Sequence, residues 1–233
     1  MNNIQLVVFD IAGTTVYDNG QVADAFITAC RAADIEIPAN EVKKVMGFRK
    51  IDAIRLLLDK FSPAVPVGTQ RESLISGIHD RFIQNMISFY QQDPELRPMP
   101  HAEELFSSLH RKGIKVALNT GFTRAITDAI LHRLHWDNGA GYVDSVICSD
   151  EVPEGRPSPD MINRLIQRLD IASANNVLKV GDTEVDVEEG RNAGCAIVVS
   201  VTTGAYTRQQ LQEYRPDHII DSLEELIPII EKA

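Results

Sequence analysis

Six short apolar runs, and their uneven spacing, set the strongest limit on what this chain can fold into. The first, "IQLVVF" (4–9), is apolar without alternation, the pattern of a strand buried on both faces. The other five begin only after residue 113: "IKVALN" (114–119), "VDSVICS" (143–149), "NVLKVGD" (176–182), "CAIVVSV" (195–201) and "HII" (218–220). Helical patterns lie between them, at 101–112, 123–135, 159–169, 184–193 and 222–231. Strand alternating with helix predicts an α/β fold, a parallel sheet covered on both faces. In "RPSPDM", Ser158 is placed to cap a helix whose first residue is Pro159.

The gap after the first run is helical. "QVADAFITACRAA" (21–33), "PANEVKKVM" (38–46), "KIDAIRLLLDKF" (50–61) and "TQRESLISGIHDRFIQNMISFY" (69–90) carry no strand pattern. Ile51, Ile54, Leu57, Leu58 and Phe61 recur at helical spacing and form one apolar face, which core packing explains. The chain therefore divides into a core domain, 1–17 plus 96–233, and a helical insert, 18–95. Tethers are expected near 17–20 and in "QQDPELRPMP" (91–100).

The net charge of −10 argues against nucleic acid or an anionic membrane as a partner. An anionic substrate must then be held by a local cation. Three cysteines without CxxC spacing fit a reducing compartment better than a disulfide framework. "MNNIQLVVFD" lacks a basic leader, and no apolar stretch is long enough to span a bilayer, so a cytoplasmic protein is expected.

Ligands of an open parallel sheet bind at the carboxyl ends of its strands. Polar residues gather there: Asp10, Thr120, Asp150, Glu151, Asp182 and Asp186, with Arg156 in the loop "DEVPEGRPSP". Singly, each has a plain explanation as a cap or turn residue. Jointly they read as a site. Asp10, Asp182 and Asp186 would repel one another unless a cation lay among them, and oxygen ligands beside a phosphate-like group suit Mg²⁺. Thr120 and Arg156 would supply a hydroxyl and a fixed charge to an anionic group. The combination points to phosphoryl transfer through an aspartyl intermediate.

The chain resembles the haloacid dehalogenase superfamily. Its nucleophile motif is similar to "FDIAGTT", its threonine motif to "LNTG" and its acidic motif to "GDTEVD", while "GRPSP" offers Arg156 where that family usually has lysine. The resemblance implies a Rossmann-like core with an α-helical cap inserted at 18–95. Phosphatases of the family read Asp-x-Asp, and here the second position is Ala12. "DIAGTT", "GRPSP" and the cap segment "MGFRKID" (46–52) together look like the phosphonatases, which cleave a carbon–phosphorus bond. That likeness implies Asp10 as nucleophile and Lys50 as the lysine that forms a Schiff base. It further implies Thr120 and Arg156 on the phosphoryl oxygens, and Mg²⁺ on Asp10, Asp182, Asp186 and the Ala12 carbonyl. Ala12, Gly13, Met46, Arg49 and Gly121 would contact substrate, and a homodimer is plausible.

A protonated imine explains why Ala12 suffices. It draws in the electrons of the breaking C–P bond, so departure needs no carboxylic acid. Where phosphonatases commonly carry histidine after Ile-Asp, this chain has Ala53. That leaves the organic fragment open among phosphonoacetaldehyde and related 2-oxoethylphosphonates. The alternative is a phosphomonoesterase for a small metabolite, with Tyr17 or Asp18 as its acid. His79 on the cap could replace the imidazole missing at Ala53, although a solvated helix face is the expectation.

Overall fold

The chain is described by a computed structural model over residues 4–63, 67–137 and 141–232. The six apolar runs become six strands: β1 (Leu6–Phe9), β2 (Lys115–Thr120), β3 (Ser145–Cys148), β4 (Val177–Gly181), β5 (Ile197–Val201) and β6 (His218–Ile220). They form one sheet in the order β3-β2-β1-β4-β5-β6, with every pairing parallel. The unbroken apolarity of β1 has the expected cause. Leu6 and Val8 pack into one core beside Met161 and Leu165, while Val7 and Phe9 pack into the other beside Phe106.

Consecutive strands add outward from β1 on both sides, so the crevice where the order reverses lies at its carboxyl end. Phe9 is level with Leu118 of β2 and Val180 of β4. The register therefore carries Asp10, Asn119, Thr120 and Asp182 to one edge of the sheet.

Residues 21–92 hold α1 (Gln21–Arg31), α2 (Ala39–Lys43), α3 (Lys50–Phe61) and α4 (Thr69–Gln92), with no strand among the described residues. An aromatic chain joins this insert to the sheet: Phe26 meets Phe82 at 5.5 Å between ring centroids, and Phe82 meets Phe122 at 6.5 Å. The remaining helices are α5 (Ala102–Arg111), α6 (Arg124–Arg133), α7 (Asp160–Arg168), α8 (Glu184–Ala193), α9 (Arg208–Glu213) and α10 (Leu226–Lys232). Among the described residues, no helix is long and apolar enough to cross a membrane.

Three local expectations change. Helix α7 starts at Asp160, with Pro159 at the N-cap and no side-chain cap bond, so Ser158 lies outside it; its N–H instead closes a turn onto the Gly155 carbonyl at 3.0 Å. Helix α9 has no counterpart in the sequence reading, because its single buried residue, Leu211, leaves no periodicity to detect. The stretch 222–231 divides into a 3₁₀ turn, Leu223–Glu225, and α10.

Candidate active site

Asp10 follows β1 with its backbone N–H still bonded to the Val180 carbonyl at 3.0 Å. The chain then turns back sharply, with the Thr15 and Val16 amides on the Ile11 carbonyl and the Thr15 hydroxyl on the Asp10 carbonyl. Gly13 makes that turn possible. Its φ is +83°, and a Cβ there would sit 2.9 Å from Asp182 Oδ2 and 2.8 Å from the Gly204 Cα. Gly13 thus lets the loop close against the acid; it does not line the substrate space.

Beneath Asp10 lies a buried network of charges. Arg156, fully buried, donates from Nη1 to Asp10 Oδ1 at 2.6 Å and from Nη2 to the carbonyl and side-chain oxygens of Asn119, both at 2.6 Å. Its Nη1 is 3.0 Å from Asp186 Oδ1 and its Nε 3.1 Å from Glu189 Oε2. Lys179 lies 3.0 Å from Asp186, 3.2 Å from Glu189 and 2.7 Å from Asn119 Oδ1. Asn119 Nδ2 reaches both oxygens of Glu189, at 2.8 and 2.9 Å. Arg156 Nε and Asp186 Oδ1 touch their partners as ions without the alignment of hydrogen bonds.

The network alters two expectations. Arg156 does not line the cavity described below; it holds the Asp10 carboxylate from behind. Asp186 offers no free oxygen, since Arg156 and Lys179 flank Oδ1 and the Thr183 hydroxyl donates to Oδ2 at 2.6 Å. Burial works against its ionisation, yet Arg156 and Lys179 outweigh it and hold the carboxyl below its ordinary range. Asp10 is pushed up, by burial first, with Arg156 opposing.

Asp182 is the end of this acidity that lines the cavity described below. Burial, then the charges of Asp10 and Asp186, push its carboxyl well above the usual value, although Ala205 N–H donates to Oδ2 at 2.6 Å and Thr14 to Oδ1 at 3.3 Å. Two buried carboxylates that resist joint ionisation are a donor set a cation would relieve. Among the described residues no three His, Cys, Asp or Glu side chains are arranged to enclose a metal. Asp10 and Asp182 are the carboxylates that a hard cation would take as oxygen ligands.

Above Asp10 is a cavity of about 30 Å³, lined by Asp10, Ala12, Thr120, Gly121 and Asp182 from the sheet side and by Asp18, Met46, Gly47 and Lys50 from the helical side. That is room for about two water molecules. The two sides approach closely at two glycines. A Cβ on Gly121 would fall 2.4 Å from the Phe48 carbonyl, and one on Gly47 2.4 Å from Thr183 Oγ1. Arg49 ties the seam from outside, donating to the Pro153 carbonyl at 3.0 Å, and does not face the cavity. The Thr120 hydroxyl accepts from Phe122 N–H at 3.1 Å.

Lys50 is the first residue of α3 and is only 4 % exposed. Its Nζ donates to the Phe48 carbonyl at 3.2 Å and lies 5.4 Å from the Phe122 ring centroid. Burial lowers its pKa to about 8, with Asp10 pulling the other way and Arg156 adding to the fall. Folding thus leaves the native chain with fewer protons than the unfolded one between pH 8 and the free value of 10.5. The cost to stability is fully present below pH 8 and fades as pH rises through that window. Lys50→Met is expected to raise stability at pH 7 by about 2–3 kcal/mol, with the gain vanishing towards pH 10.5; urea unfolding across pH checks this.

Asp150, Glu151 and His79 stand apart from the cavity. Asp150 accepts from the Arg124 N–H at 2.9 Å at the start of α6, and Glu151 accepts from Cys148 N–H at 2.7 Å, both structural roles. His79 is half-buried on α4, not fully solvated, and senses Asp80, Arg49 and Asp150. Asn119, Lys179 and Glu189 were not foreseen.

Residues 4–194 match the family model of the haloacid dehalogenase-like hydrolases. Phosphonoacetaldehyde hydrolase of Bacillus cereus (strain G9842) is 34 % identical over 201 residues, 82 % of this chain and 73 % of that protein. Its counterpart from Bacillus mycoides (strain KBAB4) is 31 % identical over 235 residues, covering 95 % and 86 %. A phosphonoacetaldehyde hydrolase-like protein from Oleispira antarctica superposes with a TM-score of 0.82 at 25 % identity, covering 99 % of this chain and 92 % of its own. A hydrolase from Pseudomonas syringae superposes at 0.84 with 17 % identity and 98 % of both chains, a likeness of fold.

Proposed function

The chain belongs to the haloacid dehalogenase-like hydrolases, and from that membership we propose that it hydrolyses the carbon–phosphorus bond of phosphonoacetaldehyde or a closely related 2-oxoethylphosphonate. The observation that carries this reading is the meeting of Lys50 and Asp10 in one small cavity, with Ala12 in place of an acid. An amine whose pKa has fallen to about 8 is neutral in about one molecule in ten at pH 7, and that neutral form is the one that attacks an aldehyde.

Lys50 Nζ adds to the aldehyde carbon, water leaves, and a protonated imine forms. Asp10 attacks phosphorus in line through the oxygen that Arg156 does not hold, the C–P electron pair moves into the imine, and the organic fragment remains on Lys50 as an enamine. Water then clears the acyl phosphate from Asp10 as phosphate, while the enamine takes a proton at carbon and the resulting imine adds water, releasing the aldehyde and Lys50. The Thr120 hydroxyl lines the phosphoryl end. Mg²⁺, held by Asp10, Asp182 and the Ala12 carbonyl, would neutralise charge on the phosphoryl oxygens.

Phosphate release from phosphonoacetaldehyde with Mg²⁺ tests the activity, and borohydride added with that substrate should trap a covalent adduct on Lys50 readable by mass spectrometry. Faster release from sugar phosphates that survives Lys50→Ala would replace this reading with the phosphomonoesterase one.

A further inference from the structure

Forming an imine at a buried amine needs a partner that takes a proton from nitrogen and returns one to the departing oxygen. Four titratable groups line the cavity: Asp10, Asp18, Lys50 and Asp182. Asp10 is held by Arg156, and Asp182 is bound by Thr14 and Ala205. Asp18 differs from both in its position. It lines both the cavity and an outer recess formed with Tyr17, Asn19, Lys43 and Thr203, so it stands in the neck between Lys50 and solvent. Met46 and Ala205 line the same two spaces and complete that neck.

We propose that the Asp18 carboxyl carries protons between the Lys50 nitrogen, the carbinolamine oxygen and solvent while the imine forms. The inference rests on the proposed C–P cleavage and adds the group that makes Lys50 competent. Asp18 carboxylate takes a proton from the Lys50 ammonium, and the freed lone pair forms the C–N bond as the C=O pair moves to oxygen. As the zwitterion becomes the neutral carbinolamine, oxygen gains one proton and nitrogen loses one. Asp18 then gives its proton to the hydroxyl, the C–O bond breaks, and water leaves a protonated imine. Ammonium plus aldehyde becomes protonated imine plus water, and Asp18 ends as it began.

Two further features suit the role. Burial raises the Asp18 pKa while it lowers that of Lys50, so the two proton affinities approach each other; Lys50 is the charge whose effect on Asp18 is resolved. From α4, Tyr90 faces Asp18 and Asp10, and burial followed by these charges keeps its hydroxyl protonated. Asp18 also accepts from the Val22 N–H of α1 at 3.3 Å, so the carboxyl is fixed in direction.

The test is the time course of borohydride trapping on phosphonoacetaldehyde, in wild type, Asp18→Asn and Asp18→Ser. Both variants retain an oxygen that can accept from α1. Each is expected to form the adduct about a hundredfold more slowly and to recover part of the rate in formate, which wild type ignores. A wild-type trapping rate in either folded variant, or slow trapping that formate does not restore, overturns the assignment. Failure of wild type to trap at all instead removes the C–P reading beneath it.

Discussion

Lys50→Arg is expected to lower phosphate release from 2-oxoethylphosphonates by about four orders of magnitude or more, as loss of a covalent catalytic group does. The replacement keeps a long cationic side chain at the start of α3 and removes the chemistry. A guanidinium stays charged at every working pH and cannot condense with an aldehyde. Without the imine, the C–P electrons have no acceptor, and Ala12 provides none. The wild-type pH profile should carry the same signature. With a pKa of about 8, about one Lys50 in ten is neutral at pH 7, against about one in three thousand at the free value. The rate should therefore climb with pH towards 8 and level above it. A steady-state assay of both proteins decides the matter. Undiminished phosphate release by Lys50→Arg would remove the Schiff base from the mechanism.

The sequence made the floor of this cavity legible because strand ends are. Apolar runs located β1, β2 and β4, and Asp10, Thr120 and Asp182 follow directly from where those runs stop. Lys50 was visible only through the likeness of "MGFRKID" to a known segment, since a lysine opening a helix is ordinarily solvated. The charge network was not visible as a network. Lys179 sits sixty residues from Asn119, and Glu189 seventy, so their meeting depends on sheet order that composition does not encode. One signal was available: a lysine inside the buried run "NVLKVGD" requires a buried partner. Arg156 and Arg49 illustrate the other limit. Each lies on a loop, and only the path of that loop decides that Arg156 turns beneath Asp10 and Arg49 turns outward to Pro153.

Arg156→Met is expected to be the most damaging substitution for stability, costing about 3–5 kcal/mol. Methionine fills much the same volume, so the loss is electrostatic rather than a cavity. Removing the guanidinium leaves the buried Asp10, Asp186 and Glu189 with Lys179 as the remaining buried cation of the network. In the wild type Arg156 and Lys179 hold the Asp186 carboxyl below 3.8, which contributes stability above that pH and loses it as pH falls through the lower folded value. The variant lacks Arg156's share of that contribution. The gap in unfolding free energy between the two proteins should therefore be widest at neutral pH and narrow below pH 3.8. Glu189→Gln on the Arg156→Met background should recover part of the loss. It deletes one stranded charge and keeps an acceptor for Asn119, which donates to Glu189 at 2.8 Å. By contrast, Glu189→Gln alone removes an anion that both cations use, and should destabilise. Opposite signs for one substitution on two backgrounds are the mark of direct coupling between Arg156 and Glu189. Urea unfolding of the four proteins in that cycle measures it; additive effects would mean that Arg156 acts through Asp10 and Asp186 alone.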